Sequence, residues 1–510
     1  MYSAKSHILK KKAPTFHLLV ALIVSATFTL IEEARAIDKL PVFPGAQGFG
    51  TTTVGGRHGV VCLVNSLADS GKGTLRSCLE MNLPRSIVFQ VGGTIKLEKE
   101  IVIKHPFVSV YGQTAPGDGV LIRVSQDSVT APLRITTHDV LIQHLRIRAG
   151  SSVNPSCCRD SLSIGNSEPN QVYNVVIDHN SISWGVDENA DTWYDVNNIT
   201  FSHNIFSEGL FDNKSNDKGP TSRGLLIGSR DSHSISIHHN LFAHNHQRNP
   251  YIAADGIVDI TNNLIYHWLS RAAVQDNRYE GLKVNWVKNK FISRTNNHYL
   301  KAFKNKLNSA TSFKYDILKS KLEDDQVSSI GWGDILITFE EHEPQIYFEG
   351  NIGHNRRKKS EPDWKIANTD FNEPYSPELG FHVEQRFPAP EITEVSANSL
   401  EDQISPHVGA SLPSRDTVDQ RIITQLRDKT GLVVDCVTPL GSGTRLECAL
   451  NAGGWPEMVN AVSETDSDRD GVPDSKEIEF GTNPKVYDSN LDNNKNGYTN
   501  LEEWVFNIGS

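Results

Sequence analysis

An asparagine recurs at a nearly constant interval along the middle of this chain, each time within a short apolar segment. The intervals are 24, 36, 23 and 26 residues. Regular intervals of about 20–50 residues are typical of solenoids, in which each repeat forms one coil. The single long interval indicates a coil with an inserted loop. The recurring residues are Asn180, Asn204, Asn240, Asn263 and Asn289.

The segments that carry this repeat alternate apolar and polar residues as strands do, and none sustains a helical period. We therefore predict an all-β fold, a right-handed parallel β-helix, because stacked coils bury apolar faces that one coil cannot bury alone. An Asn at the same turn of each coil can adopt the αL conformation and stack its amide in a ladder. The alternative is a β-sandwich, but it predicts more Asn-Gly and Asp-Gly turns than occur here. The predicted strand segments are 86–93, 107–114, 139–150, 174–183, 198–207, 234–243, 257–266, 282–292 and 345–352.

Three further segments depart from the repeat. Residues 300–345 and 354–400 are rich in Lys, Glu and Pro, and we expect long loops there. Residues 414–429 predict a helix that begins at Ser414 or Asp416 and stops at Gly431. Such a helix would cover an open side or end of the solenoid. Its predicted buried face consists of Val418, Ile422, Ile423 and Leu426.

The N-terminus has the pattern of a signal peptide. Several lysines precede the apolar run 16–31, and Ala34-Arg35-Ala36 follows as a small-x-small cleavage site. A membrane anchor is the alternative, but it needs about 20 apolar residues. We therefore assign residues 1–36 to a signal peptide and expect the remaining chain to be secreted.

The charge balance excludes some partners. The chain has 50 basic and 61 acidic residues, a net charge of −11, and loss of residues 1–36 removes five basic and two acidic residues to leave −14. A surface of that sign repels nucleic acid and anionic lipid. We expect a monomer that binds neither nucleic acid nor membranes.

Six cysteines in an exported chain can form disulfides. Cys62 with Cys78 and Cys436 with Cys448 are close in sequence, and each pair could close a short loop. Adjacent Cys157 and Cys158 could be free, bonded together, or bonded to other cysteines.

The C-terminal tail carries two copies of a calcium-loop pattern, at 466–477 and 492–503. Each has acidic or amide side chains at loop positions 1, 3, 5 and 9, Gly at 6 and Glu at 12, as in an EF-hand. The tail resembles thrombospondin type 3 or dockerin-like repeats, and we assign 461–510 to it and 37–460 to the β-helix. The predicted ligands are Asp466, Asp468, Asp470, Asp474, Glu477, Asp492, Asn494, Asn496, Asn500 and Glu503.

Several motifs occur in a fixed order along the chain: FPGAQGFGTTTVGGR (43–57), VGGTI (91–95), GQTAPGDG (112–119), IDHNSISWGVDE (177–188), HHNLFAHNHQRNP (238–250) and GASLPSRDTVDQR (409–421). Together they resemble the pectate lyases of polysaccharide lyase family 1. The resemblance implies cleavage of polygalacturonate, an acidic pectic polysaccharide, by Ca²⁺-dependent β-elimination. The alternatives are a β-helix glycoside hydrolase, which needs clustered aspartates at inverting separation, and a non-catalytic glycan-binding β-helix.

The resemblance also implies site residues. Asp160 and Asp187 with Glu188 match calcium ligands on successive coils. Lys218 matches a substrate-binding lysine, and Arg248 matches the arginine that abstracts the proton. Tyr251 and Ala253 stand where the family frequently has arginines, and Arg223 or Arg271 could compensate as substrate-binding residues.

The histidines near position 240 suggest a zinc site as another possibility. In a strand, His238 and His239 would point to opposite faces, so no compact ligand set is expected.

Overall fold

The computed structural model describes residues 40–154, 158–211, 221–293, 334–339, 341–370, 373–437 and 452–508. Its helices are short: α1 Leu75–Leu79, α2 Leu400–Ile404, α3 Thr417–Asp428, α4 Asp474–Phe480 and α5 Asn500–Phe506. The strands, in chain order, are β1 Val60–Val64, β2 Arg85–Phe89, β3 Val91–Leu97, β4 Ile101–Ile103, β5 Val108–Tyr111, β6 Val120–Val124, β7 Leu133–Ile135, β8 Val140–Gln143, β9 Arg146–Arg148, β10 Leu162–Ile164, β11 Val172–Asp178, β12 Ser181–Ser183, β13 Glu188–Thr192, β14 Val196–Ser202, β15 Ile205–Ser207, β16 Arg223–Gly228, β17 His233–His238, β18 Leu241–Ala243, β19 Tyr251–Ala253, β20 Ile257–Thr261, β21 Leu264–Tyr266, β22 Ala273–Asp276, β23 Lys283–Val287, β24 Lys290–Ile292, β25 Ile335–Thr338, β26 Gln345–Glu349, β27 Ala367–Asp370, β28 Glu373–Pro374 and β29 Ala461–Val462.

These strands form three long sheets. The first sheet has the order β1-β2-β5-β8-β11-β14-β17-β20-β23-β26, the second β28-β27-β25-β22-β19-β16-β13-β10-β7-β4, and the third β24-β21-β18-β15-β12-β9-β6-β3-β29. Each strand pairs in parallel with its counterpart in the next coil, apart from the antiparallel pairs β27–β28 and β29–β3. The predicted right-handed parallel β-helix is confirmed. Parallel pairing from coil to coil excludes the β-sandwich, whose neighbouring strands form hairpins.

The core lies inside the coil, where the three sheets face one another. Residues at the same position of successive coils stack in register, so each coil covers the apolar face of the one before it. In the first sheet, one such row consists of Ile142, Ile177, Phe201, Ile237, Ile260, Trp286 and Phe348.

The predicted asparagine ladder is present between the first and third sheets. The Oδ1 atom of Asn240 accepts from the backbone N–H of Asn204 at 2.8 Å and from its Nδ2 at 3.0 Å. The Nδ2 of Asn240 donates to the carbonyl oxygen of Phe201 at 2.8 Å. The same pattern repeats in each coil of the ladder, which extends to Asn351.

The αL conformation predicted for these asparagines was wrong. The residue before each ladder asparagine takes it instead, because the chain must turn there to direct the amide inward. These residues are His179, His203, His239, Asn262 and Lys288, with φ between 50° and 54°.

The loops predicted at 300–345 and 354–400 were partly wrong. Strand β25 lies in the first segment and β27 in the second, and both add coils to the second sheet. Strands of four residues are too short to show a period among the charged residues around them. Residues 294–333 and 371–372 lie outside the described part of the chain.

The predicted helix is present as α3. Asp416 caps it by accepting from the backbone N–H of Asp419. The helix ends at Lys429, which takes the αL conformation, two residues before the predicted stop Gly431. Ile422 and Leu426 pack with Leu241 and Leu264 on the outer face of the third sheet. The helix therefore covers a side of the solenoid.

The tail is docked on the first sheet. Leu501 and Val505 of α5 pack against Val88 and Leu141 on the outer face of that sheet. Beside them, a buried ion pair joins Nε of Arg57 to a carboxylate oxygen of Glu502 at 2.9 Å. The assignment of 461–510 as a separate unit stays a prediction.

The disulfide between Cys62 and Cys78 is present. Cys158 and Cys436 are also disulfide-bonded. Cys157 and Cys448 lie outside the described residues, so the pairing predicted for Cys436 with Cys448 stays a prediction. The predicted signal peptide, residues 1–36, lies outside them too. Within the part of the chain that is described, no helix has the length and apolar character to cross a membrane.

The ladder generates a stability prediction. Asn240→Ala removes one amide from the middle of the ladder and leaves buried donors and acceptors on both neighbouring coils unpaired. We expect a loss of about 2–4 kcal/mol in the free energy of unfolding, measured by urea denaturation. The control Asn154→Ala removes an exposed amide and should change it by less than about 1 kcal/mol. If both variants lower the free energy of unfolding by the same amount, the ladder does not stabilise the fold.

Candidate active site

The candidate site lies on the outer face of the second sheet, where three consecutive coils meet. Asp160 precedes β10, Glu188 begins β13, and Arg223 begins β16. Glu188 pairs in register with Arg223, and Arg223 with Gln247, the residue before Arg248. Stacking of coils therefore brings together residues that are far apart in sequence.

Carboxylates form the first half of the site. Oxygen atoms of Asp160, Asp187 and Glu188 lie within 4.8 Å of one another, and all three residues are buried. The backbone N–H of Glu188 donates to Oδ1 of Asp160 at 2.7 Å, which ties two coils together. Burial, with the neighbouring carboxylates, raises the pKa of Asp160 well above its usual value. Burial also raises the pKa of Glu188.

Asp191 adds a fourth carboxylate that the sequence analysis missed. It is buried, its Oδ1 has no hydrogen-bond partner, and burial raises its pKa to about 7. Regular alternation would place Glu188 and Asp191 on opposite faces of a strand. The alternation is broken because Asn189 and Ala190 are both fully buried. The only signal in the sequence was the density of acids in 187–191.

Two arginines form the other half. Nη1 of Arg223 contacts Asp187 and lies 3.2 Å from Oε1 of Glu188, and Nη1 of Arg248 also contacts Glu188. The guanidinium of Arg248 lies over the ring of Tyr251, 4.9 Å from its centroid. Two predicted residues, Arg248 and Arg223, thus meet the predicted calcium ligands.

A second set of buried amides positions Arg248. Nδ2 of Asn189 donates to Oδ1 of Asn245 at 3.0 Å, and Nδ2 of Asn245 donates to Oδ1 of Asn249 at 3.0 Å. The carbonyl oxygen of Arg248 accepts from the backbone N–H of Leu225 at 2.8 Å. The backbone of Arg248, with φ of 63°, is therefore held from two neighbouring coils.

Of the remaining predicted site residues, one lies near Arg248 and one is outside the described part of the chain. Arg271 is half-buried, and burial together with the charge of Arg248 lowers its pKa, so it belongs to the same basic surface. Lys218 lies outside the described residues. Tyr251, which replaces a frequent family arginine, bonds to Asp276 and accepts from Nη2 of Arg278 at 2.8 Å.

Arg134 was also missed. It pairs in register with Ser163, which pairs with Asp191, and its charge lowers the pKa of Asp191. Register alone places Arg134 beside the site, and register cannot be obtained from one sequence.

The tail carboxylates form a separate acidic region. Asp466, Asp468 and Asp470 lie within 4.8 Å of one another, and Glu477 lies equally close to Asp470. In the second loop, Glu503 accepts from Nδ2 of Asn496 at 2.6 Å. There Asp492 and Asn494 accept from backbone N–H groups of the loop, and Asn500 donates to residue 488. Metal binding by these residues stays a prediction.

The prediction that His238 and His239 point to opposite faces was wrong. Their Nδ1 atoms lie 3.0 Å apart, because His239 occupies the αL turn and not a strand. His179 and His203 stack with their rings 4.6 Å apart and 4° from parallel. The Nδ1 atoms of both face the buried carboxylate of Asp178, at 2.8 and 3.5 Å, so these three residues do lie within 4.8 Å of one another. The histidines make a stack of rings along the corner of the coil.

Comparison with known proteins identifies the family. No family model matches the chain. The probable pectate lyase C of Neosartorya fischeri is 30% identical over 479 residues, which cover 92% of this chain and 94% of that protein. The probable pectate lyase C of Aspergillus oryzae is 29% identical over 471 residues, with coverage of 92% and 94%.

Solved structures are more distant in sequence. The pectate lyase of Bacillus sp. N165, in complex with trigalacturonate, has a TM-score of 0.41 and 16% identity, covering 72% of this chain and 98% of that one. The cedar pollen allergen jun a 1 has a TM-score of 0.42 and 16% identity, with coverage of 71% and 92%. On the strength of the near full-length sequence relatives, the chain belongs to the pectate lyase family and is a polysaccharide lyase.

Proposed function

We propose that this chain is a secreted pectate lyase that cleaves polygalacturonate by Ca²⁺-dependent β-elimination. One observation carries the proposal: a buried group of three carboxylates, with Asp191 beside Asp160, faces arginines from the following coils on one surface of the second sheet. The relatives are named as pectate lyases, and one solved neighbour contains trigalacturonate. Both support a uronate polymer as the substrate.

The reaction sets clear chemical requirements. The proton on C5 of a galacturonate must leave, the C4–O bond must break, and a C4–C5 double bond forms while the leaving oxygen gains a proton. The C5 proton is barely acidic until the adjacent carboxylate is neutralised. The site must therefore provide positive charge at the uronate and a base that faces C5.

The carboxylate group fits a hard divalent cation. Its donor atoms are all oxygen, which Ca²⁺ prefers. Oδ1 of Asp191 is buried without a partner, and repulsion among the carboxylates raises the pKa of Asp160 in addition to burial. Asp160, Asp187, Glu188 and Asp191 would hold the ion. When bound, calcium supplies the positive charge that neutralises the substrate carboxylate.

The arginines account for the rest of the chemistry. Arg223 and Arg271 present guanidinium groups that can bind uronate carboxylates through paired N–H donors. Arg248 is the base that receives the C5 proton. Because a guanidinium holds its protons tightly, Arg248 must first lose one. Its contacts with Glu188 and Tyr251 hold its side chain beside the proposed calcium ligands.

Two alternatives are less well supported. A glycoside hydrolase of the inverting type needs two carboxyl groups about 6.5–9.5 Å apart with room for water. Here the oxygen atoms of Asp160, Asp187 and Glu188 lie within 4.8 Å of one another, and Glu188 is already paired with arginines. A non-catalytic glycan-binding role does not account for membership of a lyase family.

Arg248→Lys tests the base. Lysine keeps the charge but lacks the planar group over Tyr251, so we expect at least about a 100-fold fall in kcat. The measurement is the ultraviolet absorbance of unsaturated products from polygalacturonate. Arg230→Ala, which changes an exposed arginine, is the matched control and should retain activity. Normal product formation by a folded Arg248→Lys protein would refute this role.

Asp160→Asn tests the metal. We expect the calcium concentration for half-maximal activity to rise at least about tenfold, because one charged ligand is lost. Asp127→Asn, at an exposed position, should leave it unchanged. Because the tail is also predicted to bind calcium, loss of activity in chelator alone would not be decisive. An unchanged calcium requirement in Asp160→Asn would argue against this site.

Asp191 predicts a dependence of stability on pH in calcium-free protein. Its pKa is about 7 in the native state against a usual value of 3.8, so the native state favours the protonated form. That stabilising contribution is present below about pH 4 and is lost as the pH rises through 7. Asp191→Asn should therefore raise the unfolding temperature most at pH 8, less at pH 5 and least at pH 4, measured in chelator by differential scanning fluorimetry. If Asp191→Asn lowers the unfolding temperature equally at all three pH values, ionisation of Asp191 does not destabilise the native state.

A further inference from the structure

One exposed tryptophan lies on the same sheet as the candidate active site. Trp193 is 43% exposed, and of the tryptophans in the described part of the chain it is the only exposed one. It directly follows β13, the strand that begins with Glu188 and contains Asp191. A single exposed apolar side chain is ordinary on a protein surface, so the surroundings of this indole decide whether it has a role.

The strand directs the indole to the face that carries the site. Thr192 is fully buried and pairs in register with Ile164 and Ile227, which lie in the core. Because side chains alternate along a strand, Asp191 and Trp193 both project from the opposite, outer face. Two residues span about 7 Å of strand. The indole therefore lies beside the buried carboxylates, on the surface where the proposed substrate binds.

The backbone around Trp193 is fixed by both neighbouring coils. Its N–H donates to the carbonyl oxygen of Ile164, in the preceding coil, at 2.9 Å. The carbonyl oxygen of Tyr194 accepts from Oγ of Ser232, in the following coil, at 2.9 Å. Tyr194 takes the αL conformation, with φ of 68°, and turns the chain out of the strand. An indole presented from a fixed backbone loses little entropy when it binds a ligand.

A glycine in the following coil leaves room for the ring. Gly228 comes directly after Ile227, the register partner of Thr192, and so lies beside Trp193. A Cβ atom at Gly228 would overlap Cε3 and Cζ3 of the indole. Gly228 does not have a positive φ, so the close approach of the ring, and not the backbone conformation, requires glycine here. One side of the ring thus lies against the coil, and its exposed area is on the other side.

The neighbours of the indole are apolar. Ala253, the register partner of Gly228 one coil further, is buried, and Leu226 is half-buried beside Gly228. Arg223 and Arg248 contact the carboxylates at the opposite end of this surface. The surroundings of the indole are therefore suited to the C–H groups of a sugar ring, whereas the arginines are suited to its carboxylate.

We propose that Trp193 is a stacking platform that binds one sugar ring of the polysaccharide beyond the carboxylate group. The face of an indole carries partial negative charge, which attracts the C–H groups of a pyranose, and the ring offers a large apolar contact area. Five residues of strand, about 16 Å, separate Trp193 from Glu188, so only a chain of several rings can reach both. The proposal rests on the proposed function, because the bound ring belongs to the polymer that is cleaved.

Trp193→Ala tests the platform. We expect KM for polygalacturonate to rise about five- to tenfold and kcat to stay within about twofold, because the lost contact is made equally in the bound substrate and the transition state. Both constants are measured from the ultraviolet absorbance of unsaturated products. Trp193→Phe keeps an aromatic face and should retain most of the affinity. Phe480→Ala, which removes an exposed ring from the tail, is the matched control and should match the wild type.

Chain length and salt complete the test. For the shortest oligogalacturonate that the wild type cleaves, KM should be the same in Trp193→Ala, because so short a chain does not reach the indole. On polygalacturonate, the rise in KM should persist at high salt, because stacking is not screened as ion pairs are. If the wild type forms no unsaturated product, the proposed function fails. If the wild type is active but Trp193→Ala keeps its KM on the polymer, or loses the same factor on the short substrate, the platform alone is wrong.

Discussion

The hydrogen-bonded ladder of buried asparagines is the interaction on which the rest of the structure depends. Each amide pairs with the amide and backbone of the next coil, so the coils cannot slip by one residue without leaving buried polar groups unpaired. Such a slip would also move the apolar row of the core to the outer face. Correct register in the first sheet therefore holds register in the second, where the candidate active site lies.

Acidic residues pair with arginines in two places, and the surroundings of each group decide whether it is structural or can bind a ligand. Under α3, Arg148 bonds to Asp416 and Asp419, and these groups are all buried beneath the helix. That network attaches the helix to the third sheet. On the second sheet, Asp191 keeps an oxygen without a partner, and the arginines lie at the surface. The first arrangement is closed and structural, whereas the second leaves donor atoms for an ion and a substrate.

Much of the fold was predictable from the sequence, because a solenoid repeats its pattern in every coil. The period, the ladder and the capped helix α3 all depend on contacts within one coil or between one coil and the next. The site was predictable only in part. Asp160, Asp187, Glu188 and Arg248 came from resemblance to a family, and the structure brings them together. Asp191 was missed because the buried pair Asn189 and Ala190 breaks the alternation on which face assignment relies.

The sequence by itself determined that this chain coils into a parallel β-helix, since asparagine and apolar residues recur at coil spacing. It also determined that an acidic tail with loop glycines follows the coils. Only the tertiary structure decided which αL residue turns each corner and that Asp191 lies beside the buried carboxylates. The physical reason is that a ligand set depends on the distance between oxygen atoms from separate coils or loops, and sequence spacing does not specify that distance.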